Sequence, residues 1–232
     1  MTKRRKPAKS KRKILAVDVG GTHVKCEVSG QSERREFESG PKLSAKRMVR
    51  EVKRLTSDWS YDVVSIGYPG LVMRNRVVAE PHNLGSGWTG FDFEKAFGCP
   101  VRILNDAAMQ ALGSYQGGRM LFLGLGTGLG TAMIVDGVIE PMELAHLPYR
   151  KGKTFEDYVG VAGLKRLGEK KWRKRVVDVI ERLIAALEPE YVVLGGGNAG
   201  RLGKLPPLVR KGNNDNAFAG GYKLWSEQYE RR

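Results

Sequence analysis

Short apolar runs that end on glycine alternate with stretches of helical spacing along most of the chain. Lys13 to Val19 (KILAVDV) closes on Gly20-Gly21-Thr22 and HVKCEVS alternates behind it, which predicts two strands joined by a glycine turn. ERREFE adds a third strand. Ser44 then caps a helix in which Met48, Val49, Val52 and Leu55 share a face, and Asp62 to Tyr68 returns to strand before a Pro69-Gly70 turn. The opening reads as a β-meander followed by βαβ.

The pattern then recurs. After a loop at Pro81 to Gly90 come a short helix capped by Asp92, the strand VRIL, and a helix from Asp106 to about Tyr115 with Asp106 at its N-cap position. MLFLGLG and TAMIVDG form a second glycine-turned pair, with Asp136-Gly137 as the hairpin turn into VIEPM. Trp172, Val176, Val177, Ile180, Leu183, Ile184 and Leu187 share a helical face, which leads past Pro189 into the strand YVVL and Gly195-Gly196-Gly197. Asn216 to Glu230 is read as helix despite Gly220-Gly221. Two glycine turns between apolar strands predict two related lobes: 14–115, completed by the helix 216–230, and 116–215.

At 232 residues and 41% hydrophobic, the chain is long enough to bury a core. Its apolar stretches break well before the ~18 residues that crossing a bilayer requires. Asp18 interrupts the first of them, so no signal-peptide core is read, and the expected location is the cytoplasm. Cys26 and Cys99 are the only cysteines, too few for a disulfide framework or a cysteine zinc site. The formal charge of +15 is unevenly placed. Eight bases and no acid lie between Lys3 and Lys13, and the segment 1–13 is expected to be a disordered tail. Lys165 to Arg175 (KRLGEKKWRKR) sets seven bases against Glu169 inside folded sequence, which points to a polyanionic partner.

Several familiar chemistries fail on spacing. Gly152-Lys153-Thr154 lacks the first glycine of a P-loop, because Leu147 stands there. Gly195, Gly197 and Gly200 follow a strand but precede the proline-broken RLGKLPPLV, which excludes a dinucleotide fold. His23, His82 and His146 have no metal-ligand spacing, and no nucleophile elbow accompanies Asp106. What remains is anion chemistry. Glycine turns let backbone N–H groups approach a phosphate closely, and Gly20-Gly21-Thr22 and Gly126-Thr127-Gly128-Leu129-Gly130 each add a threonine hydroxyl. With Gly195-Gly196-Gly197 as a third loop, they favour a nucleotide or phosphate-chain donor.

AVDVGGTHVK, IGYPGLV, HNLGSGW, LNDAAMQALG, LGLGTGLGTAMIVDG, ELAHLPY and VLGGGNA occur in an order that resembles the ROK family of sugar kinases, and within it the polyphosphate-glucokinase branch. The resemblance runs from about Ile14 to Trp225. It implies an α/β actin-like ATPase (RNase H-like) fold of two lobes with the sugar in the cleft, and a homodimer. It also implies that Asp106 takes the proton from the sugar hydroxyl, that Asn105 holds a neighbouring hydroxyl, and that Asn83, Glu143 and His146 contact the sugar. Asp18 is placed near a magnesium ion, Lys25 near the phosphates, and the three glycine loops around a polyphosphate or ATP donor. Phosphoryl transfer independently needs an acceptor for the hydroxyl proton, and one carboxylate suffices.

Two departures stand out. The family's Glu-x-Gly-His is Glu143-Leu144-Ala145-His146 here, where the methyl either crowds the sugar or requires a negative φ. The cysteine-rich zinc motif that follows in many members is replaced by RKGKTFEDYVG, so no zinc is expected. A DNA-binding regulator of the same family is the rival of another class, but twelve residues before the first strand are too few for two helices and a turn, so no nucleic-acid partner is expected. A non-catalytic sugar-binding protein is the other rival, against which Asp106 and the paired loops argue.

Overall fold

The computed structural model describes residues 12–213 and 215–230. Apart from Arg12 and Lys13, the basic tail lies outside the described residues, and with it the expectation of disorder there. The strands β1 (Ile14–Val19), β2 (His23–Val28) and β3 (Arg34–Glu38) form an antiparallel meander. Helix α1 (Ala45–Leu55) returns the chain to β4 (Val63–Tyr68), which lies parallel to β1. A small hairpin, β5 (Val72–Met73) and β6 (Arg76–Val77), and helix α2 (Phe93–Phe97) precede β7 (Val101–Asn105), which is parallel to β4. The first sheet has the order β3-β2-β1-β4-β7, and α3 (Asp106–Ser114) leads out of its edge.

The second sheet repeats this plan. Its meander is β8 (Arg119–Leu125), β9 (Leu129–Val135) and β10 (Val138–Met142). A 3-10 turn at Leu144–His146, the hairpin β11 (Pro148–Arg150) and β12 (Lys153–Thr154), and helices α4 (Phe155–Val159), α5 (Val161–Leu167) and α6 (Glu169–Leu187) lead to β13 (Tyr191–Gly195), parallel to β8. With β14 (Val209–Lys211) the order is β10-β9-β8-β13-β14. Helix α7 (Asn216–Lys223) then packs back on β1, β4 and α3, and α8 (Glu227–Glu230) follows it.

Local chemistry explains most boundaries. The Ser44 hydroxyl accepts from Arg47 N–H at 3.3 Å and the Asp92 carboxylate from Lys95 N–H at 2.9 Å, so both residues are N-caps as expected. Asp136 and Gly137 have φ of 49° and 80°, the paired left-handed turn that a two-residue hairpin requires. Asp106 is not the N-cap. Asn105 is, its carboxamide oxygen accepting from Ala107 N–H at 3.0 Å and Ala108 N–H at 3.2 Å, and Asp106 opens the helix proper. The C-terminal segment is two helices, not one continuous helix. Gly220 and Gly221 are required inside α7 because a Cβ on Gly220 would overlap the Met109 carbonyl oxygen, and one on Gly221 would stand 2.9 Å from Ala16 Cβ.

Each sheet has its own core. Leu15, Val17, Met48, Val52, Ile66, Tyr68 and Trp88 fill the first, and Leu121, Leu123, Trp172, Val176, Ile180 and Val192 the second. Ala107, Ala108 and Ala111 on α3 pack with Phe122, Ala132 and Ile134, so small residues let the helix that carries Asp106 lie close on the second sheet. No helix among the described residues is long and apolar enough to cross a membrane.

Candidate active site

The first glycine turn approaches the loop before α2 at Asn83, and the second approaches the start of α3 at Ala107. β7 ends on Asn105, in register with Tyr68 of β4, and runs directly into Asp106 at the start of α3. Asn105 is fixed from both sides, since beyond its two cap contacts its Nδ2 donates to the Gly70 carbonyl at 3.2 Å. Its capping role leaves the second Nδ2 hydrogen for a ligand.

Asp106 is half-buried. Burial raises its carboxyl to about 7, and the nearby charge of Asp18 adds to that, as Glu143 does more weakly; N–H donation from Ala107 works the other way. Asp18 on β1 is itself raised by burial, against the pull of Lys25 and Arg34. Lys25 is its direct cross-strand partner on β2 and Gly67 its partner on β4. Gly67 is buried, and a Cβ there would stand 2.5 Å from Met109 Cε and 3.6 Å from Asp18 Oδ1, so the glycine lets Met109 of α3 pack close to β4 beside that carboxylate.

The first glycine loop follows Asp18, the second approaches Asp106, and the third packs on the second. Gly20 N–H closes on the His23 carbonyl at 2.9 Å, and a Cβ on Gly21 would touch Asn83 Cβ at 3.7 Å, which places the first loop and the 81–88 loop side by side. In the second loop a Cβ on Gly130 would stand 2.8 Å from Ala107 Cβ, so the loop lies against the first turn of α3, one residue from Asp106. Gly196, at φ 80°, carries the third loop against the Leu125 carbonyl, and Asn198 donates its backbone N–H to that carbonyl and its Nδ2 to the Gly126 carbonyl at 3.2 Å. Thr22 and Thr127 are exposed at the loop tips.

Glu143 and His146 flank the 3-10 turn, 3.8 Å apart and 62% and 71% exposed, as groups awaiting a ligand would be. Ala145 between them points the other way: its methyl is 2% exposed and packs with the second core, and its φ is not positive. Of the two consequences the alanine implied, the negative φ is the one found. Glu156 was missed by sequence reasoning. Its carboxylate accepts from Leu129 N–H at 3.2 Å and lies against Gly128, which ties α4 to the second loop. Nothing in the FEDYVG pattern distinguishes it from a solvated helix acid.

Among the described residues no group of three or more His, Cys, Asp or Glu side chains could hold a metal ion alone. Magnesium is commonly held by one or two carboxylates together with substrate phosphates, and the Asp18 carboxylate, at the end of β1 just before the first glycine turn, fits that arrangement.

Residues 14–140 match the model of the ROK family. The chain is 26% identical over 225 residues to the polyphosphate glucokinase of Mycobacterium tuberculosis, a match spanning 87% of this chain and 84% of that one. Its fold is similar to that of an inorganic polyphosphate/ATP-glucomannokinase from Arthrobacter sp. strain KM, with a TM-score of 0.79, 21% identity, and coverage of 95% of this chain and 100% of that chain. It is also similar to a glucokinase from Streptomyces griseus in complex with glucose and AMPPNP, with a TM-score of 0.71, 17% identity, and coverage of 91% and 98%.

Proposed function

The chain belongs to the ROK family, and from that premise we propose that it is a hexose kinase that transfers a phosphoryl group from polyphosphate or ATP to the 6-hydroxyl of glucose. The observation that carries this reading is the placement of Asp106, half-buried at the start of α3, one residue from the glycine loop that packs on Ala107.

In this reading residues 14–115 and 116–215 form the two walls of the cleft. Asn83, Glu143 and His146 hold the sugar, and Asn105 orients the hydroxyl next to the one that reacts. The Asp106 carboxylate accepts the hydroxyl proton as the new O–P bond forms, and the electron pair of the broken P–O bond leaves with ADP or the shortened polyphosphate. Gly20, Gly21, Thr22, Lys25, Gly126, Thr127, Gly128, Gly130 and Gly195 to Gly197 surround the donor phosphates with N–H groups and hydroxyls. Asp18 would hold magnesium, which supplies charge neutralisation at those phosphates.

Polyphosphate is favoured as donor by the bases of α5 and α6. Lys165 and Arg166 end α5, while Lys170, Lys171, Arg173 and Lys174 crowd the first turns of α6. Positive charge at a helix N-terminus opposes the helix dipole, and of these four bases on α6 only Arg173 supports the helix locally, through its i,i+4 pair with Glu169. They connect to the cleft through Arg201, which contacts Glu169 at 3.1 Å and Asn198 Oδ1 at 3.1 Å, the same Asn198 that binds the Gly126 carbonyl. The expected setting is the cytoplasm, with a homodimer that light scattering would reveal.

The test is a coupled assay of glucose with ATP and, separately, with polyphosphate, reading glucose 6-phosphate. Product with polyphosphate supports the full reading, product with ATP alone reduces it to an ATP-dependent glucokinase, and sugar binding without product from either donor favours the non-catalytic alternative.

A further inference from the structure

Glu80 has no place in the site as described, yet its carboxylate is engaged more fully than a surface acid needs to be. It accepts from Trp88 N–H with both oxygens at 3.2 Å and from Thr89 N–H at 3.0 Å. Glu80 stands at one end of the loop 81–87 and Trp88 at the other, so this one carboxylate joins the two ends of the segment that bears Asn83. These donors hold the group below the usual carboxylate range, the Thr89 N–H most of all.

The rest of the loop is anchored independently. The Leu43 carbonyl takes both Gly85 N–H at 3.1 Å and the Trp88 indole N–H at 3.2 Å. Trp88 is fully buried against Tyr68, with ring centroids 5.3 Å apart, and the Tyr68 hydroxyl donates to the Ala79 carbonyl at 2.9 Å, one residue before Glu80. Tyr68 is the register partner of Asn105. The loop's base is therefore fixed to the strand pair that presents Asn105 and Asp106, and its far side touches Gly21 through Asn83. Between those anchors Leu84 reaches the first core, while its neighbours His82, Asn83, Ser86 and Gly87 are exposed. Exposed loop residues of this kind fluctuate more the fewer the contacts that hold the loop's two ends together.

We propose that Glu80 is a positioning residue for the sugar: its carboxylate closes the neck of the 81–87 loop and so holds Asn83 at the cleft. The proposal rests on the hexose-kinase reading for its ligand but not for the clasp itself. Glu80 reaches the reaction only through Asn83, so its removal weakens sugar affinity and leaves the chemical step alone.

The experiment compares Glu80→Ala and Glu80→Gln with the parent protein in amide hydrogen exchange, glucose binding by calorimetry, and steady-state kinetics. In Glu80→Ala the Trp88 and Thr89 amides are expected to exchange at least ~10-fold faster, and the glucose Kd and KM to rise about 10-fold while kcat stays within about 2-fold. Glu80→Gln, which keeps one carbonyl acceptor, falls between the two. Unchanged exchange in Glu80→Ala overturns the clasp, and faster exchange with unchanged glucose affinity overturns its role for the sugar. Should the parent protein bind no glucose, the hexose-kinase reading fails, and the exchange data alone decide whether Glu80 closes the loop.

Discussion

Asp18 at the end of β1 and Asp106 at the start of α3 act on each other electrostatically: after burial itself, the charge of Asp18 is the main cause that raises the Asp106 carboxyl to about 7. A base must be ionised to accept a proton, so kcat/KM for the sugar should climb tenfold per pH unit below about 7 and level off above it. A pH profile from 5.5 to 9 with saturating donor measures this. A profile already flat at pH 6 would place the titrating base elsewhere.

The same shift has a consequence for stability. Asp106 is raised from 3.8 to about 7 in the folded chain, so between those values the native state binds more protons than the unfolded one. Stability from this group is complete below pH 3.8 and is lost as pH rises through about 7. Asp106→Asn removes that loss, and its Tm should exceed that of the parent at pH 8, with the difference shrinking towards pH 5. Equal Tm differences at both pH values would contradict the assignment.

Ala145 packs into the second core with Phe155 and Tyr158 while Glu143 and His146 face outward. Ala145→Gly should therefore lower stability by about 1 kcal/mol, from the lost methyl and added backbone freedom, and leave KM for glucose within about 2-fold. Thermal melts and steady-state kinetics check both, and a fall in KM would show that the methyl narrows the sugar pocket after all.

Much of this was legible in the sequence where a residue has one dominant local role. Ser44, Asp92 and the Asp136-Gly137 pair act through backbone contacts within a few residues, and the apolar runs at Ile14 and Tyr191 have only one place to be buried. Asp106 and the glycine loops were likewise visible, because their spacing is chemical. What escaped depends on distant partners. Asn105 outcompetes Asp106 as the cap because it is also held by Gly70, and Gly220 lies in a helix because Met109 of α3 leaves no room for a Cβ. The β5–β6 hairpin carries no glycine at its turn; Arg74 and Asn75 adopt φ of 48° and 63°, and the Asn75 carboxamide binds the β7 edge at Val101 O and Ile103 N–H. Glu80 and Glu156 read as ordinary surface acids until the loops they hold are seen in place.

Changing Lys170, Lys171, Arg173 and Lys174 together to Gln tests the donor track. A polyphosphate chain meeting several bases releases counterions, so its KM in the parent should rise steeply with salt. The quadruple variant should show a KM for polyphosphate at least ~10-fold higher and a shallower salt slope, while KM for ATP changes less than about 2-fold. The relief of the α6 dipole and the loss of the Arg173–Glu169 i,i+4 pair are of similar size and opposite sign, so the variant's Tm should stay close to the parent's. Unchanged polyphosphate kinetics would reduce the cluster to a solvated surface.

The central claim is that Asp106 takes the proton from the sugar hydroxyl, and Asp106→Asn tests it most directly when turnover and glucose binding are measured on the same preparation. Loss of a general base typically costs 10²–10⁴-fold, so kcat should fall at least ~100-fold while the glucose Kd stays within about 3-fold. A variant that binds glucose and turns over at close to the parent rate would contradict the account.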